Sequence, residues 1–153
     1  MDLLLLPGNS PNNKIWIEEV EKQLKYLFVT TTIQYYAHWK NNQTINLEQE
    51  ITILSTLADT LKEYVVFAKS IGIYLTLAAY SKQKIHPKKI IFLGFPLKLF
   101  LAQKSSREVE IMLNALQVPV LFVQNSHDPF CSYPELVAFL STTILKNYRT
   151  YEF

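Results

Sequence analysis

Hydrophobic residues along the chain follow two alternating patterns, which predict strands and helices in turn. A continuous apolar run at residues 3–6 ends at Pro7-Gly8 and is typical of a strand buried on both faces. Apolar residues near helical spacing at 13–28 predict the first helix, with acidic side chains on its polar side. The other predicted strands are 31–36, 64–68, 89–93, 118–124 and 148–153, and the other predicted helices are 46–62, 70–84, 108–116 and 134–145.

Regular alternation of buried strands with helices predicts an α/β fold of one domain, residues 1–153. We expect three layers, α/β/α, around a doubly wound, mostly parallel six-stranded sheet. Ligands bind such sheets outside the carboxyl ends of the strands. The residues that follow predicted strand ends are therefore candidates for a functional site: Gly8-Asn9-Ser10, His38-Trp39, Ser70, Gly94-Phe95 and residues 125–130.

Composition narrows the classes of function. With 49% apolar and 18% charged residues, the chain is not intrinsically disordered. The net charge of +2 is spread over dispersed lysines, so we expect no nucleic-acid partner. The single cysteine, Cys131, fits a reducing compartment, and the apolar start ends at Pro7, too early for a signal peptide or a membrane span. We therefore expect a cytoplasmic protein that does not bind a membrane.

No metal or cofactor is expected. The sequence has no histidine and cysteine cluster at ligand spacing, and the glycines do not form a phosphate-binding motif.

The segment Ala68-Lys69-Ser70-Ile71-Gly72 lies between a predicted strand and a long apolar helix, as a nucleophile elbow does. The turn of an elbow lifts the serine oxygen clear of the sheet, and strand and helix nearly touch there. Small residues are therefore needed two positions before and after the serine, and Ala68 and Gly72 meet this need. Ser70 would alternatively cap the helix N-terminus, and the local sequence leaves both interpretations open.

Four segments together resemble a compact α/β-hydrolase without a cap domain, over nearly the whole chain. They are residues 5–10 after the first strand, 67–72 at the elbow, 92–96 after the next strand, and 123–130 after the fifth. The last segment is similar to the acid loop of that family, and serine precedes aspartate as in the family.

The resemblance implies that Ser70 is the nucleophile of a serine hydrolase and that Asp128 orients the base. The oxyanion hole would consist of the Ile71 N–H and an N–H of the Gly8-Asn9 turn. The substrate would be a small ester, thioester or amide, because no cap domain is recognisable. Asp128 and Gly8 are also residue types of ordinary turns, which is the alternative explanation for both.

The family histidine follows the last strand, but this sequence ends with the predicted strand 148–153. We therefore expect a chain that lacks the C-terminal histidine segment, either truncated from an active ancestor or one that never used this chemistry. His38 is the candidate surrogate base, although it lies two strand spacings from Ser70, roughly 10 Å. Alternatively, it is a packed, hydrogen-bonded residue beside Trp39. Lys69 is either a group that polarises a carboxylate, an unusual base, or a lysine that reaches solvent.

Three classes of function follow: an active serine hydrolase, a catalytically inactive hydrolase-fold binding protein (a pseudoenzyme), and a ligand-binding domain of flavodoxin type. The absent histidine favours the second over the first, whereas Ser70, Gly72 and Asp128 favour the first. The expected partners are a small-molecule substrate and a second copy of the chain, paired through the aromatic edge strand 148–153.

Overall fold

The computed structural model describes residues 1–41 and 43–153 and confirms the predicted fold class. The strands are β1 (Asp2–Leu6), β2 (Thr31–Ile33), β3 (Tyr64–Lys69), β4 (Lys89–Leu93), β5 (Val120–Gln124) and β6 (Tyr148–Glu152). The helices are α1 (Asn13–Leu24), α2 (Leu47–Asp59), α3 (Ile71–Ser81), α4 (Leu97–Gln103), α5 (Ser106–Asn114) and α6 (Tyr133–Leu140). The six strands form one sheet in the order β2-β1-β3-β4-β5-β6, and every pairing is parallel.

Two hydrophobic cores of unequal size lie on the two faces of the sheet. Residues 3–6 of β1 are fully buried because β1 is an internal strand with helices on both sides. Leu3 and Leu5 belong to the smaller core, which α1 covers with Ile17. Leu4 and Leu6 belong to the larger core, to which α2 to α6 each contribute buried residues. The layers are therefore α/β/α as predicted, with one helix on one face and five on the other.

The structure corrects the predicted second strand. It was expected over 31–36, but β2 ends at Ile33 and a 3₁₀ turn follows at Ala37–Trp39. Gln34, which comes next, is fully buried and donates from Nε2 to Glu50 on α2. The Gln34 N–H still donates to Leu5 of β1, and beyond it the backbone bonds to Glu50 of α2 through the Ala37 N–H, although residues 31–36 have the composition of a strand.

Helix α4 was missed, and α6 is shorter than expected. Helix α4 has seven residues and buries only two, Leu97 and Phe100, so it is too short to show a periodic pattern. The predicted helix 134–145 ends at Leu140, and the hydroxyls of residues 141–143 each donate to a carbonyl three residues earlier. Such local hydrogen bonds compete with continuation of a helix. Among the described helices, none combines the length and the apolar character needed to cross a membrane.

The start of α3 touches the backbone of β1. A methyl group added at Gly72 would lie 2.7 Å from the carbonyl oxygen of Leu6 and 2.8 Å from its Cβ. Because β1 is internal and paired on both sides, its backbone cannot move aside. A small residue at position 72 is therefore a steric requirement of this helix–strand distance.

We expect Gly72→Ala to destabilise the protein by about 1–3 kcal/mol, the usual cost of overpacking, even though alanine favours helices. Thermal and urea unfolding measure this change. Gly8→Ala is the comparison, because the methyl group there would meet side-chain atoms of Asn13 at 3.0 Å and no backbone, so we expect a smaller loss of stability. Equal stability of the two variants would contradict the steric explanation.

Strand β6 lies at one end of the sheet, with the Tyr151 side chain 61% exposed. The Phe153 N–H donates to Gln124 on the β5 side, so by alternation the Thr150 N–H points away from β5. We expect a dimer in which two such edges pair, and we expect Thr150→Pro to abolish it while leaving the β5 pairing intact. Light scattering at high protein concentration measures this, and a monomeric wild type would show the prediction to be wrong.

Candidate active site

Ser70 occupies a strained turn between β3 and α3. Its backbone angles are φ 53° and ψ −114°, a conformation that costs a residue with a side chain about 1–3 kcal/mol. Gln83 is the other non-glycine residue with positive φ in residues 1–41 and 43–153. The Ser70 side chain makes no capping hydrogen bond to α3, so the helix-cap interpretation does not account for it. Its hydroxyl remains available for another role.

The turn after β1 is held from the side of β2 by three aromatic side chains. The Tyr36 hydroxyl donates to the Pro7 carbonyl at 2.7 Å, and Trp39 Nε1 donates to the Asn9 carbonyl at 2.7 Å. His38 Nε2 lies 3.1 Å from the same Asn9 oxygen. These contacts fix both peptide carbonyls that flank the Gly8-Asn9 peptide. The direction of the Asn9 N–H is thereby set by tertiary contacts.

The two candidate oxyanion donors are unused. Within the described residues, the backbone N–H groups of Asn9 and Ile71 donate to no protein acceptor. Free N–H groups at a helix start and at a fixed turn are suited to stabilise a developing negative oxygen.

His38 packs against Tyr36 and Trp39, and it contacts the turn after β1 together with them. Its ring stacks on Tyr36 at 5.7 Å between centroids, with an interplanar angle of 16°. Because a carbonyl oxygen only accepts, the contact with Asn9 requires the proton on Nε2. Nδ1 is buried without a hydrogen-bond partner, and across the described chain no hydrogen bond joins His38 to Ser70. The structure therefore places His38 in the packed, hydrogen-bonded position.

A buried polar network around Glu50 holds the segment that carries Tyr36, His38 and Trp39. Glu50 on α2 is 1% exposed, and it accepts from the Ala37 N–H at 2.7 Å and from Gln34 Nε2 at 2.9 Å. Burial raises the pKa of the Tyr36 hydroxyl well above its ordinary value, and the Glu50 charge acts in the same direction. Tyr36 thus stays a neutral donor to the Pro7 carbonyl. Sequence reasoning missed this network, because Glu50 resembles any polar residue of an amphipathic helix.

Asp128 is half-buried in the loop after β5, with its two carboxylate oxygens in different surroundings. Oδ1 accepts from the N–H groups of Phe130 and Cys131, at 2.8 and 3.3 Å. Oδ2 has no donor among the described residues and faces Gly94, where an added methyl group would lie 3.8 Å away. The loop-capping role is therefore present, and it leaves one oxygen free.

Gln124, the last residue of β5, ties the acid loop to the turn after β4. Its side chain is fully buried, with Oε1 accepting from the Phe95 N–H at 2.7 Å and Nε2 donating to the Cys131 carbonyl. Gly94, in this turn, has φ +64°. The sequence signal for Gln124 is a polar residue at the end of an otherwise apolar strand.

Lys69 extends along α1 and does not reach freely into solvent. Its Nζ donates to Asn13 Oδ1 at 3.1 Å and lies 4.2 Å from the centroid of the Trp16 ring. Burial lowers the pKa of Lys69, and the negative charge of Asp128 opposes part of that shift. The carboxylate after β5 is therefore within electrostatic reach of the residue that precedes Ser70.

The structure brings most of the predicted site residues to one edge. Gly8, Asn9, His38, Lys69, Ser70, Ile71 and Asp128 all lie at the carboxyl ends of the strands, while Ala68 and Gly72 are buried beneath the turn. Phe153 also lies at this edge, since its carbonyl oxygen accepts from the Ser126 N–H at 3.0 Å. Sequence reasoning did not identify Asn13, Trp16, Tyr36, Glu50 and Gln124 as neighbours of the site.

The described residues contain no group of three or more histidine, cysteine, aspartate or glutamate side chains positioned to hold a metal ion.

Similar solved structures share this architecture. An N-formylmaleamic acid deformylase from Pseudomonas putida S16 is 14% identical, with a TM-score of 0.69 over 99% of this chain and 83% of its own. The mouse alpha/beta hydrolase domain-containing protein 10 is 14% identical, with a TM-score of 0.71 over 99% and 79%. A monoacylglycerol lipase from Paleococcus ferrophilus is 10% identical, with a TM-score of 0.73 over 99% and 83%.

At these identities the likeness establishes the fold, which is that of the α/β-hydrolases. No family model matches the sequence, and a search of curated proteins finds no significant match.

We expect Ser70→Gly to be more stable than Ser70→Ala by about 1–2 kcal/mol, because only glycine adopts this conformation without strain. Both variants lack the hydroxyl, so urea unfolding isolates the effect of Cβ. The matched pair is Ser81→Gly and Ser81→Ala, in the last turn of α3, where glycine should be the less stable by up to about 1 kcal/mol. If glycine is less stable than alanine at position 70 as well as at position 81, Ser70 is not strained.

Proposed function

We propose that the protein is a serine hydrolase that cleaves a small ester, thioester or amide through Ser70. The observation that carries the proposal is the strained turn that presents Ser70 without a capping bond, beside the Ile71 N–H. Strain of this kind persists where the surrounding structure enforces it, and such sites are concentrated at active sites.

The proposed reaction is acyl transfer in two steps. Ser70 Oγ attacks the substrate carbonyl carbon, and a base accepts the hydroxyl proton. The N–H groups of Asn9 and Ile71 stabilise the oxygen that becomes negative in the tetrahedral intermediate. Collapse expels the alcohol, thiol or amine with a proton, and water then attacks the acyl-serine and releases the acid.

Cys131 is not a competing nucleophile. Its side chain is fully buried, and burial raises the pKa of the thiol to about 11. The reactive form of cysteine is the thiolate, which is scarce at neutral pH under these conditions.

Asp128 is the proposed carboxylate that orients the base, since its Oδ2 is free and Gln124 holds its loop. His38 as base would need its ring to leave the Asn9 carbonyl, because Nδ1 is buried where it stands. General-base catalysis contributes about 10²–10⁴-fold to rate, so we expect slow turnover from this chain as it is folded. Free imidazole should reach Ser70 and supply part of the base function that His38 does not supply in this position.

The proposed substrate class rests on acyl chemistry at an uncovered site. The segment between β4 and β5 holds only α4 and α5, and both contribute to the larger core. The names of similar structures include a deformylase, a lipase and an esterase, which supports cleavage of an acyl group.

We expect a fluorophosphonate probe to label the wild type slowly, to label it faster with added imidazole, and not to label Ser70→Ala. Mass spectrometry of the adduct identifies the modified residue. Cys131→Ala is the matched control and should label like the wild type. If the wild type forms no adduct even with imidazole, the proposal is wrong and an inactive binding protein is favoured.

Two substitutions distinguish His38 as the catalytic base from His38 as a residue that only holds the Asn9 carbonyl. If His38 is the base, His38→Ala and His38→Gln should both lose labelling, and imidazole should restore both. If it only holds the Asn9 carbonyl, His38→Gln should retain labelling because its amide still donates, whereas His38→Ala should label less.

A further inference from the structure

The ammonium of Lys69 lies at the site without a counterion in contact. Of its three N–H donors, one is used, on the neutral amide oxygen of Asn13. The ring of Trp16 lies 4.2 Å from Nζ and provides a favourable face for a cation. Among the described residues, no carboxylate lies within ion-pair distance of Nζ. The charge is half-buried and two donors are free for a ligand.

Asn13 connects this ammonium to the proposed oxyanion turn. Its Oδ1 accepts from Lys69, while its Nδ2 donates to the Ser10 carbonyl at 3.1 Å. The same amide packs on Gly8, where an added methyl group would meet it at 3.0 Å. The positive charge is therefore one side chain away from the turn that would hold the reacting carbonyl.

A groove of about 490 Å³ lies between the start of α1 and the segment that follows β2. Two of its lining residues, Tyr36 and Trp39, hold the turn by hydrogen bonds. Lys14 and Lys40 also line it, and the acidic lining residue, Glu18, accepts a hydrogen bond from the Tyr35 hydroxyl. This groove is thus lined by two lysines and one carboxylate, with aromatic walls.

Lys69 is placed to bind a ligand and not to take the Ser70 proton. Side chains alternate along β3, so Lys69 lies on the α1 face with Val65 and Phe67, opposite to Ala68. On that face its amine is turned toward Asn13 and Trp16. A carboxylate delivered by a ligand would occupy the two free donors and offset the cost of the half-buried charge.

We propose that Lys69 recognises a carboxylate on the substrate, so that the enzyme acts on small anionic acyl compounds such as dicarboxylic acid monoesters. The inference deepens the proposed function and depends on it for the catalytic part. It names Lys69 as a specificity-determining residue and Asn13 as the residue that positions it.

The test compares hydrolysis of 4-nitrophenyl hydrogen succinate with that of the neutral 4-nitrophenyl acetate. We expect the wild type to have the higher kcat/KM for the anionic ester. Lys69→Met should lower kcat/KM for that ester about 10- to 100-fold, mainly by raising KM. This is the effect of losing one charge-assisted hydrogen bond. The variant should slow hydrolysis of the acetate far less than that of the anionic ester, because the acetate lacks the group that Lys69 binds.

Lys25→Met is the matched control, because Lys25 also places its amine over an aromatic ring, that of Tyr26 at 5.2 Å, but follows the far end of α1. Lys25→Met also removes one positive charge, and it should leave kcat/KM for both esters unchanged. Lys69→Arg should keep most of the preference for the anionic ester. Equal slowing of both esters by Lys69→Met would place the amine on the reacting atoms and overturn the proposal, as would a wild type without preference.

Binding of succinate to Ser70→Ala, measured by calorimetry, separates this inference from the proposed function. Binding that is lost on adding Lys69→Met supports the anion site even if no ester is cleaved. Absence of succinate binding overturns the anion site even if Ser70 forms a fluorophosphonate adduct.

Discussion

The contact between Gly72 and Leu6 is the constraint on which the candidate site depends. Helix α3 can begin directly above β1 only because no side chain separates the helix from the strand backbone. The chain has one residue, Ser70, in which to turn from strand to helix, and that residue takes a conformation that side chains disfavour. Close packing of the core therefore sets the exposure of Ser70 and the direction of the Ile71 N–H.

A second layer of interactions orients the turn opposite the elbow. Tyr36, Trp39 and His38 hold two carbonyls of the chain that leaves β1, and Glu50 holds the segment that carries these three residues. A buried carboxylate is costly unless its hydrogen bonds are satisfied, and here each oxygen accepts one. The cost is offset locally, and the result is a turn whose peptide dipoles point in fixed directions.

The acid loop is organised in a similar way by one buried amide. Gln124 joins the turn after β4 to the loop after β5, so the position of Asp128 depends on both strands. Lys69 then links the two halves of the site, since Asn13 of α1 accepts a hydrogen bond from its amine and the negative charge of Asp128 acts on that amine. Three parts of the chain that are distant in sequence thus share one electrostatic environment.

Local patterns in the sequence predict the alternating elements, the parallel sheet, the elbow with its small residues, and the edge at which the candidate residues gather. These follow from the spacing of apolar residues and from local turn chemistry, which depend on neighbours along the chain. Three features became known only from the folded structure: β2 stops at Ile33, His38 faces a carbonyl, and Lys69 lies against Trp16. Each of these results from a contact between residues far apart in sequence, and no local pattern encodes which distant partner a polar side chain will meet.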